Sequence, residues 1–428
     1  MRSPVTPAAP AVFDEDKARR RSRDVEESHG GEQDRQGRGR DRSQRQNGKR
    51  RFGRFGGPRR GKHSGRNGYA HDSRQHLQPA FAALDLGTNN CRLLIAVPKE
   101  QGRFKVIDAF SRIVRLGQGL SQTGVLGDDA MERAIGALSV CASKLASHRI
   151  TSMRLIATEA CRRASNGALF LSEVKRRTGL ELEIVDRETE ARLAAEGCGT
   201  LMERSAHGAV LFDIGGGSSE LILIDRSLSP GGRLSGQIAA WTSLPLGVVT
   251  LSEHHGGKQV TRPQYEAMVD EVLGHLAVFE GRDRLAQIWG NGATHLLGTS
   301  GTVTTIAGVH LKLPRYDRRK VDGTWLSDTQ IDRVIDDLLE MDYEQRALNP
   351  CIGRDRADLV LAGCAILQAI RSTWPSPRLR VADRGLREGI LNELMLAAGV
   401  WHNAASDEAD ALNELPEDQH QDPVPRES

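Results

Sequence analysis

One segment of the chain occurs twice. Phe81–Val97 reads FAALDLGTNNCRLLIAV and Ala209–Asp225 reads AVLFDIGGGSSELILID; with Asp85 set on Asp213, the two run together without a gap. Each is an apolar run, an Asp, a turn of small and polar residues, and a second apolar run, which is the pattern of a strand, a tight turn and a returning strand. Glycines let the turn backbone approach a ligand, and its N–H groups can cup a phosphate. The Asp ends the first strand, where a carboxylate reaches a metal ion or a water. Two such hairpins predict two related lobes with a phosphorylated substrate between them.

Charge is unevenly spread, although the net value is only +3. Arg35–Arg66 is almost entirely Arg, Lys, Gly, Gln and Ser. Such a stretch cannot bury enough apolar surface to offset the cost of ordering it, so residues 1–79 are expected to be a disordered basic tail. Residues 403–428 are acidic and Pro-containing, and are expected to be a second flexible tail. Between the tails the sequence predicts one lobe over 80–206 and another over 207–402. The six cysteines are scattered, with no CxxC pair and no zinc spacing, which reads as reduced thiols in a cytoplasmic protein. No apolar run approaches the ~18–20 residues of a membrane span, and the start of the chain lacks a signal peptide's apolar stretch.

Periodicity predicts strands over 81–86, 91–97 and 103–113, a helix over 128–146, a strand over 153–157, a helix over 166–178 ended by Gly179, a strand over 182–185 and a helix over 189–202. After the second hairpin it predicts strands near 238–244 and 286–289. Helices follow near 262–280, 300–310, 328–341, 355–373 and 385–398. Strands and helices mixed in both halves give an α/β class.

Four further motifs carry polar groups to strand ends. Leu297–Thr302 (LGTSGT) is a small-residue turn entering an apolar helix, either an anion site or an ordinary cap. Arg187–Leu193 (RETEARL) opens a helix with Glu188 and Glu190, which either complement the helix dipole or supply a general base. In Ala157–Arg163 (ATEACRR), Arg162 or Arg163 either clamps a phosphate or faces solvent. Asp383, Arg387 and Glu388 in ADRGLREG read more readily as structural pairs than as cleft residues.

The ordered set DLGTNNCRLLI, RLGQGL, ATEACRRASNG, ETEARL, DIGGGSSELIL, SLPLGVVTLSE, GTSGTVTTIAG and ADRGLREGIL resembles the Ppx/GppA phosphatases, the exopolyphosphatases and guanosine pentaphosphate phosphohydrolases. The resemblance runs from about Phe81 to about Gly399. It implies two RNase H-like lobes of the sugar kinase/actin/chaperone-ATPase superfold around an active-site cleft. It implies that Glu190 is the general base and Glu220 a second catalytic carboxylate. Asp85, Asp213 and Glu220 would stand at a divalent ion, Mg²⁺ or Mn²⁺. Thr88, Asn89, Arg162, Gly216, Gly217, Ser218, Ser300, Gly301 and Thr302 would line the phosphate site. It also implies a homodimer. The core stops near residue 400, as in the short members of the family.

The expected activity is hydrolysis of a terminal phosphoanhydride of polyphosphate, or of guanosine pentaphosphate to guanosine tetraphosphate. A kinase or ATPase of the same superfold is the first alternative, distinguished by acceptor-dependent ATP consumption. The second is an RNA-associated regulatory protein acting through the basic tail. Phe52 and Phe55 lie among the tail's arginines, and it would bind RNA or another polyanion, including polyphosphate.

Overall fold

The computed structural model describes residues 79–100, 102–289 and 293–401. The basic and acidic tails of the sequence reading lie outside the described residues, apart from Pro79.

Two mixed sheets organise the described chain. The first has five strands in the order β3-β2-β1-β4-β5: β1 (Ala80–Leu86), β2 (Asn90–Pro98), β3 (Phe104–Ile113), β4 (Ile150–Ala157) and β5 (Glu183–Ile184). The second has β6 (Gly208–Ile214), β7 (Ser219–Asp225), β8 (Ile238–Leu244), β9 (Thr294–Thr299), β10 (Trp325–Ser327) and β11 (Arg378–Val381). Its order, β10-β11-β9-β6-β7-β8, repeats that of the first sheet with one antiparallel strand added at the edge. In each sheet a three-strand antiparallel meander is followed by parallel strands on its other side. The likeness of the two hairpins thus extends to the topology of both sheets. The result is the α/β two-lobe, actin-like fold.

Most predicted elements fall where periodicity puts them, including the helices Asp128–Ala146, Ser300–His310 and Asp328–Glu340. One strand does not. Residues 286–289 form turns, and the strand is Thr294–Thr299. Every residue of β9 is buried, and it pairs in parallel with β6 from Gly208↔Thr294 to Asp213↔Thr299. A strand buried on both faces shows no alternation, and the Gly298-Thr299 end of this one reads from sequence as part of a loop. The expected helix 355–373 begins only at Val360.

The last helix, Leu386–Ala397, follows the second sheet in sequence but packs on the first. Ile390, Leu391 and Met395 share a cluster with Phe81, Ala83, Ile156 and Leu193. It crosses the helix Arg187–Cys198 at bare backbone. A Cβ on Gly389 would stand 2.0 Å from the Leu193 carbonyl oxygen, and one on Gly197 would stand 1.9 Å from that of Gly385. The helix Arg187–Cys198 faces both sheets, with Ala191, Ala195 and Cys198 against the second and Leu193 against the first. Polar clasps add to this contact. Arg115 donates from Nη1 and Nη2 to Asp358, at 2.9 Å each. Glu253 accepts from the Gly119 amide at 2.7 Å and from the Ser121 hydroxyl.

The crossing predicts a sharp contrast between two glycines. Gly389→Ala puts a methyl group against backbone that cannot give way, and is expected to cost about 1–3 kcal/mol or more. Gly136→Ala lies on an exposed face of a helix interior with open space around it, and is expected to stabilise by about 0.5–1 kcal/mol. Urea denaturation of the two variants checks both signs.

Candidate active site

The two hairpin turns meet. A Cβ on Gly216 would lie 3.0 Å from Thr88 Cβ and 3.2 Å from Asn89 Cβ; one on Gly217 would lie 2.7 Å from Thr88 Oγ1. A side chain at either glycine would force Thr88 or Asn89 to shift. The turn of the second hairpin is closed by Gly215 N–H donating to the Ser218 carbonyl at 3.0 Å. The carbonyls of Gly215 and Gly216 accept from the amides of Val248 and Val249, at the start of the helix Val248–His255. The N–H groups of Gly216 and Gly217 have no partner among the described residues. In the first hairpin, the Asn89 carbonyl accepts from Val114 and Arg115, and the Thr88 carbonyl from Gly117. The side-chain amides of Asn89 and Asn90 are buried, each with its oxygen unpaired. Either end of such an amide serves a ligand, since the oxygen accepts and the nitrogen donates.

Around these turns lies a cavity of about 650 Å³. It is lined by Asp85, Thr88, Asn89, Glu190, Asp213, Gly216, Gly217, Ser218, Glu220, Ser300, Gly301 and Thr302. Among the predicted site residues only Arg162 is not in its wall. Its guanidinium is engaged beside the cavity. Arg162 donates to Glu159 Oε2 from Nε at 3.1 Å and from Nη2 at 2.7 Å, to Glu190 Oε2 at 3.0 Å and to the Val185 carbonyl at 2.5 Å. Glu159, itself 2% exposed, also accepts from Arg187 at 3.0 Å. Arg187, Glu159, Arg162 and Glu190 thus form one chain of alternating charge.

Each carboxylate is placed by its element. Asp85 stands opposite Arg92 across the β1–β2 register, and Asp213 stands opposite Glu220 across β6–β7. Glu190 lies in the first turn of the helix Arg187–Cys198, whose start is capped by Asp186 accepting from the Thr189 amide at 2.7 Å. Glu220 Oε1 accepts from the hydroxyls of Ser218 at 2.7 Å and Ser243 at 2.9 Å. Burial and the neighbouring Asp213 push Glu220 up to about 7 in spite of those hydroxyls. Burial pushes Asp213 up to about 6, against the pull of Arg92. Burial and the approach of Glu220 raise Glu190 well above the usual carboxylate range, with Arg162 opposing. Asp85 is raised by burial, with Arg387 and Arg92 opposing. Two carboxylates distant in sequence, Glu190 and Glu220, therefore act on one another across the cleft.

Ser300 begins its helix at φ 75°, a left-handed conformation that costs a non-glycine residue about 1–3 kcal/mol. It follows the end of β9 beside Asp213, and its hydroxyl draws the Asp213 pKa down. Strain of this kind at a cavity wall is a mark of a working site.

Sequence reading passed over two cations in the wall, Arg92 and Arg356, and read a third, Arg387, as a structural pair. Arg92, Arg356 and Arg387 line the cavity, and none has a hydrogen-bond or ion-pair partner among the described residues. Arg92 carried a signal: it lies seven residues past Asp85, as Glu220 lies seven past Asp213. Arg356 carried none, since the sequence places it in an ordinary helix. The carboxylate oxygens of Asp85, Asp213 and Glu220 are of the type that a hard divalent cation takes. Among the described residues no three His, Cys, Asp or Glu side chains gather into an ion cage. The donors suit an ion that keeps waters and shares a substrate phosphate, as Mg²⁺ does.

The Ppx/GppA phosphatase family model matches residues 94–398. A curated relative from Photobacterium profundum, guanosine-5′-triphosphate,3′-diphosphate pyrophosphatase, is 28% identical over 75% of this chain and 60% of its own length. A putative exopolyphosphatase from Haemophilus influenzae is 26% identical over 73% of this chain and 91% of its own. This chain therefore spans less than two thirds of the first relative and nearly all of the second. The crystal structure of the Aquifex aeolicus Ppx/GppA member superposes with a TM-score of 0.60, at 29% identity over 76% of this chain and 99% of that one. With the match covering most of the chain and the hairpins, sheets and cleft in accord, the chain belongs to the Ppx/GppA phosphatase family.

Proposed function

We propose that this chain hydrolyses a terminal phosphoanhydride of inorganic polyphosphate, or of guanosine pentaphosphate to guanosine tetraphosphate, releasing orthophosphate. The relatives named above bear those two activities in their names. The observation that carries the reading is the meeting of Glu190 and Glu220 across one cavity whose wall is built from both glycine-rich turns. Phosphoryl transfer is mainly positioning and charge stabilisation, and this wall supplies both. The free amides of Gly216 and Gly217, with Thr88, Asn89, Ser218, Ser300, Gly301 and Thr302, are the phosphate contacts. Glu190 takes the proton of the attacking water; its raised pKa makes it a stronger base near neutrality than an exposed carboxylate. Arg162, itself held by Glu159, holds Glu190 in place. Glu220, fixed by Ser218 and Ser243, orients the same water.

Divalent-ion dependence is general in the family. Mg²⁺ or Mn²⁺ at Asp85, Asp213 and Glu220 would offset the charge of the substrate phosphates. The proposal keeps the lobe division at 80–206 and 207–402, with the last helix returned to the first lobe. It also includes a homodimer, to be read by sedimentation, and a cytoplasmic site of action. Among the described residues no helix is long and apolar enough to cross a membrane. Binding of RNA or another polyanion by residues 1–79 belongs to the proposal as well, and deletion of that tail tests it.

Phosphate release is the direct test. With Mg²⁺ present, release is expected from short or long polyphosphate or from guanosine pentaphosphate; consumption of ATP that depends on an acceptor and frees no orthophosphate would favour a kinase. Glu190→Gln is expected to lower turnover roughly 10²–10⁴-fold while the melting temperature and substrate binding hold. Near-normal turnover in that variant removes Glu190 as the base.

The acid pair gives a second prediction. Asp213 and Glu220 titrate near 4 when unfolded, and about 6 and 7 when folded. Between about pH 4 and 7 the folded protein holds protons that the unfolded chain has released, so this pair's contribution to stability falls as pH rises. A divalent ion competes with those protons. The rise in melting temperature given by Mg²⁺ is therefore expected to be larger at about pH 8 than at about pH 5.5. Glu220→Gln should flatten that difference; an equal rise at both pH values would place the ion elsewhere.

A further inference from the structure

The loop and helix start at Asp383–Glu388 carry four charged side chains besides the neighbouring glycine and leucine, and three of the four are spent within the protein. Asp383 accepts from the Tyr316 hydroxyl at 2.6 Å. Arg384 is paired with Asp322. Glu388 accepts from Arg318 at 2.8 Å on one oxygen and from the Gly385 amide at 3.0 Å on the other. Arg387 alone has neither hydrogen bond nor ion pair among the described residues. Its nearest acid in sequence, Glu388, has both oxygens occupied.

Arg387 lies in the cavity wall. Its charge is felt by Asp85 and Asp213, the acids at the ends of both first hairpin strands, so it stands where the two lobes meet. Arg92 is close enough to repel it, and burial together with that repulsion outweighs Glu388 and Asp85 to lower its pKa from the ordinary guanidinium value. A guanidinium has five N–H donors in a rigid fork that matches two oxygens of a phosphate. Leaving such a group half-buried, unpaired and beside another arginine is unfavourable in the empty fold. The arrangement is relieved by one kind of ligand, a polyanion reaching between Asp85 and Arg92.

We propose that Arg387 is a substrate-binding residue, donating its fork to non-bridging oxygens of the phosphoanhydride chain on the Asp85 side of the cleft. This rests on the phosphohydrolase reading for the identity of the ligand. It assigns a further role to the last helix, which carries the arginine to the cleft by crossing back onto the first sheet. A structural arginine would be paired, and its removal would cost stability. This one should cost ligand affinity and leave the empty protein as stable as before.

The test compares full-length wild type, Arg387→Gln and Arg387→Lys. Two readouts are used: kcat/KM for phosphate release with Mg²⁺, and the shift in melting temperature produced by inorganic tripolyphosphate without a divalent ion. Arg387→Gln is expected to lower kcat/KM roughly 10–100-fold, the worth of a charge-assisted contact, and to shrink the tripolyphosphate shift. Its unliganded melting temperature should stay within a few degrees of wild type. Arg387→Lys, which keeps the charge but not the fork, should recover part of both readouts. Three results would overturn the assignment. One is unchanged kcat/KM with an unchanged tripolyphosphate shift. Another is a large fall in unliganded melting temperature with the shift intact in both variants. The third is a Lys variant that folds and binds no better than Gln. If wild type releases phosphate from no substrate, the hydrolase reading fails, while a tripolyphosphate shift that depends on Arg387 would still sustain the binding role.

Discussion

Asp85, Glu190, Asp213 and Glu220 come from two lobes to share one cavity, and the rest of the structure is arranged to make that tolerable. Asp85 and Glu190 come from elements of the first sheet, Asp213 and Glu220 from the second hairpin. Each is pushed toward its neutral form by burial, and most are pushed further by one another. Like charges brought together out of water are unfavourable unless something offsets them. Here the offsets are partial. Arg162 leans on Glu190, the Ser218 and Ser243 hydroxyls on Glu220, and Arg92 and Arg387 act at longer range. A site left partly uncompensated in this way is one that a cation and a phosphate chain complete together.

The backbone supplies the closeness. Side chains larger than hydrogen at Gly216 and Gly217 would push the first hairpin away, and with it Thr88 and Asn89. Gly389 and Gly197 do the same for the helix crossing beneath, which sets the distance between the helix carrying Glu190 and the one carrying Arg387. Close approach at these two levels is what lets acids from separate sheets feel each other. The clasps at Arg115–Asp358 and at Glu253 then tie the two sheets together at the loops around Gly117 and Gly119, beside the first hairpin.

What could be read from sequence was local or repeated. The hairpins were legible because a period-two apolar pattern flanked each turn, and because the same pattern came twice. Thr88, Gly216, Ser300 and Glu190 were legible because each lies within a few residues of a strand end. Strand β9 was not, because burial on both faces erases alternation and its last residues are small. The engagement of Arg162 by Glu190 was not, because it depends on how a short helix faces the start of another, 28 residues on. The return of the last helix to the first sheet was not legible either. It depends on the close approach of Gly389 to the Leu193 backbone and on a shared apolar cluster with Phe81, Ala83 and Ile156, all distant in sequence. Arg387 was read in its segment as one of a set of structural pairs, and its place in the cavity wall follows from that tertiary placement; nothing in the segment of Arg356 marked it.

The two hairpins are alike in course and opposite in charge. At equivalent register positions the first sets Asp85 across from Arg92, and the second sets Asp213 across from Glu220. In the first hairpin an acid faces a guanidinium that has no ion-pair partner among the described residues and lines the cavity. In the second the pair is a double acid, and its members rise to about 6 and about 7. A phosphoanhydride needs both kinds of neighbour: donors for its oxygens, and acids that hold a cation or a water. A symmetric pair of hairpins would offer the same surface twice, whereas the exchange of one cross-strand residue gives the cleft an anion-facing side and a cation-facing side.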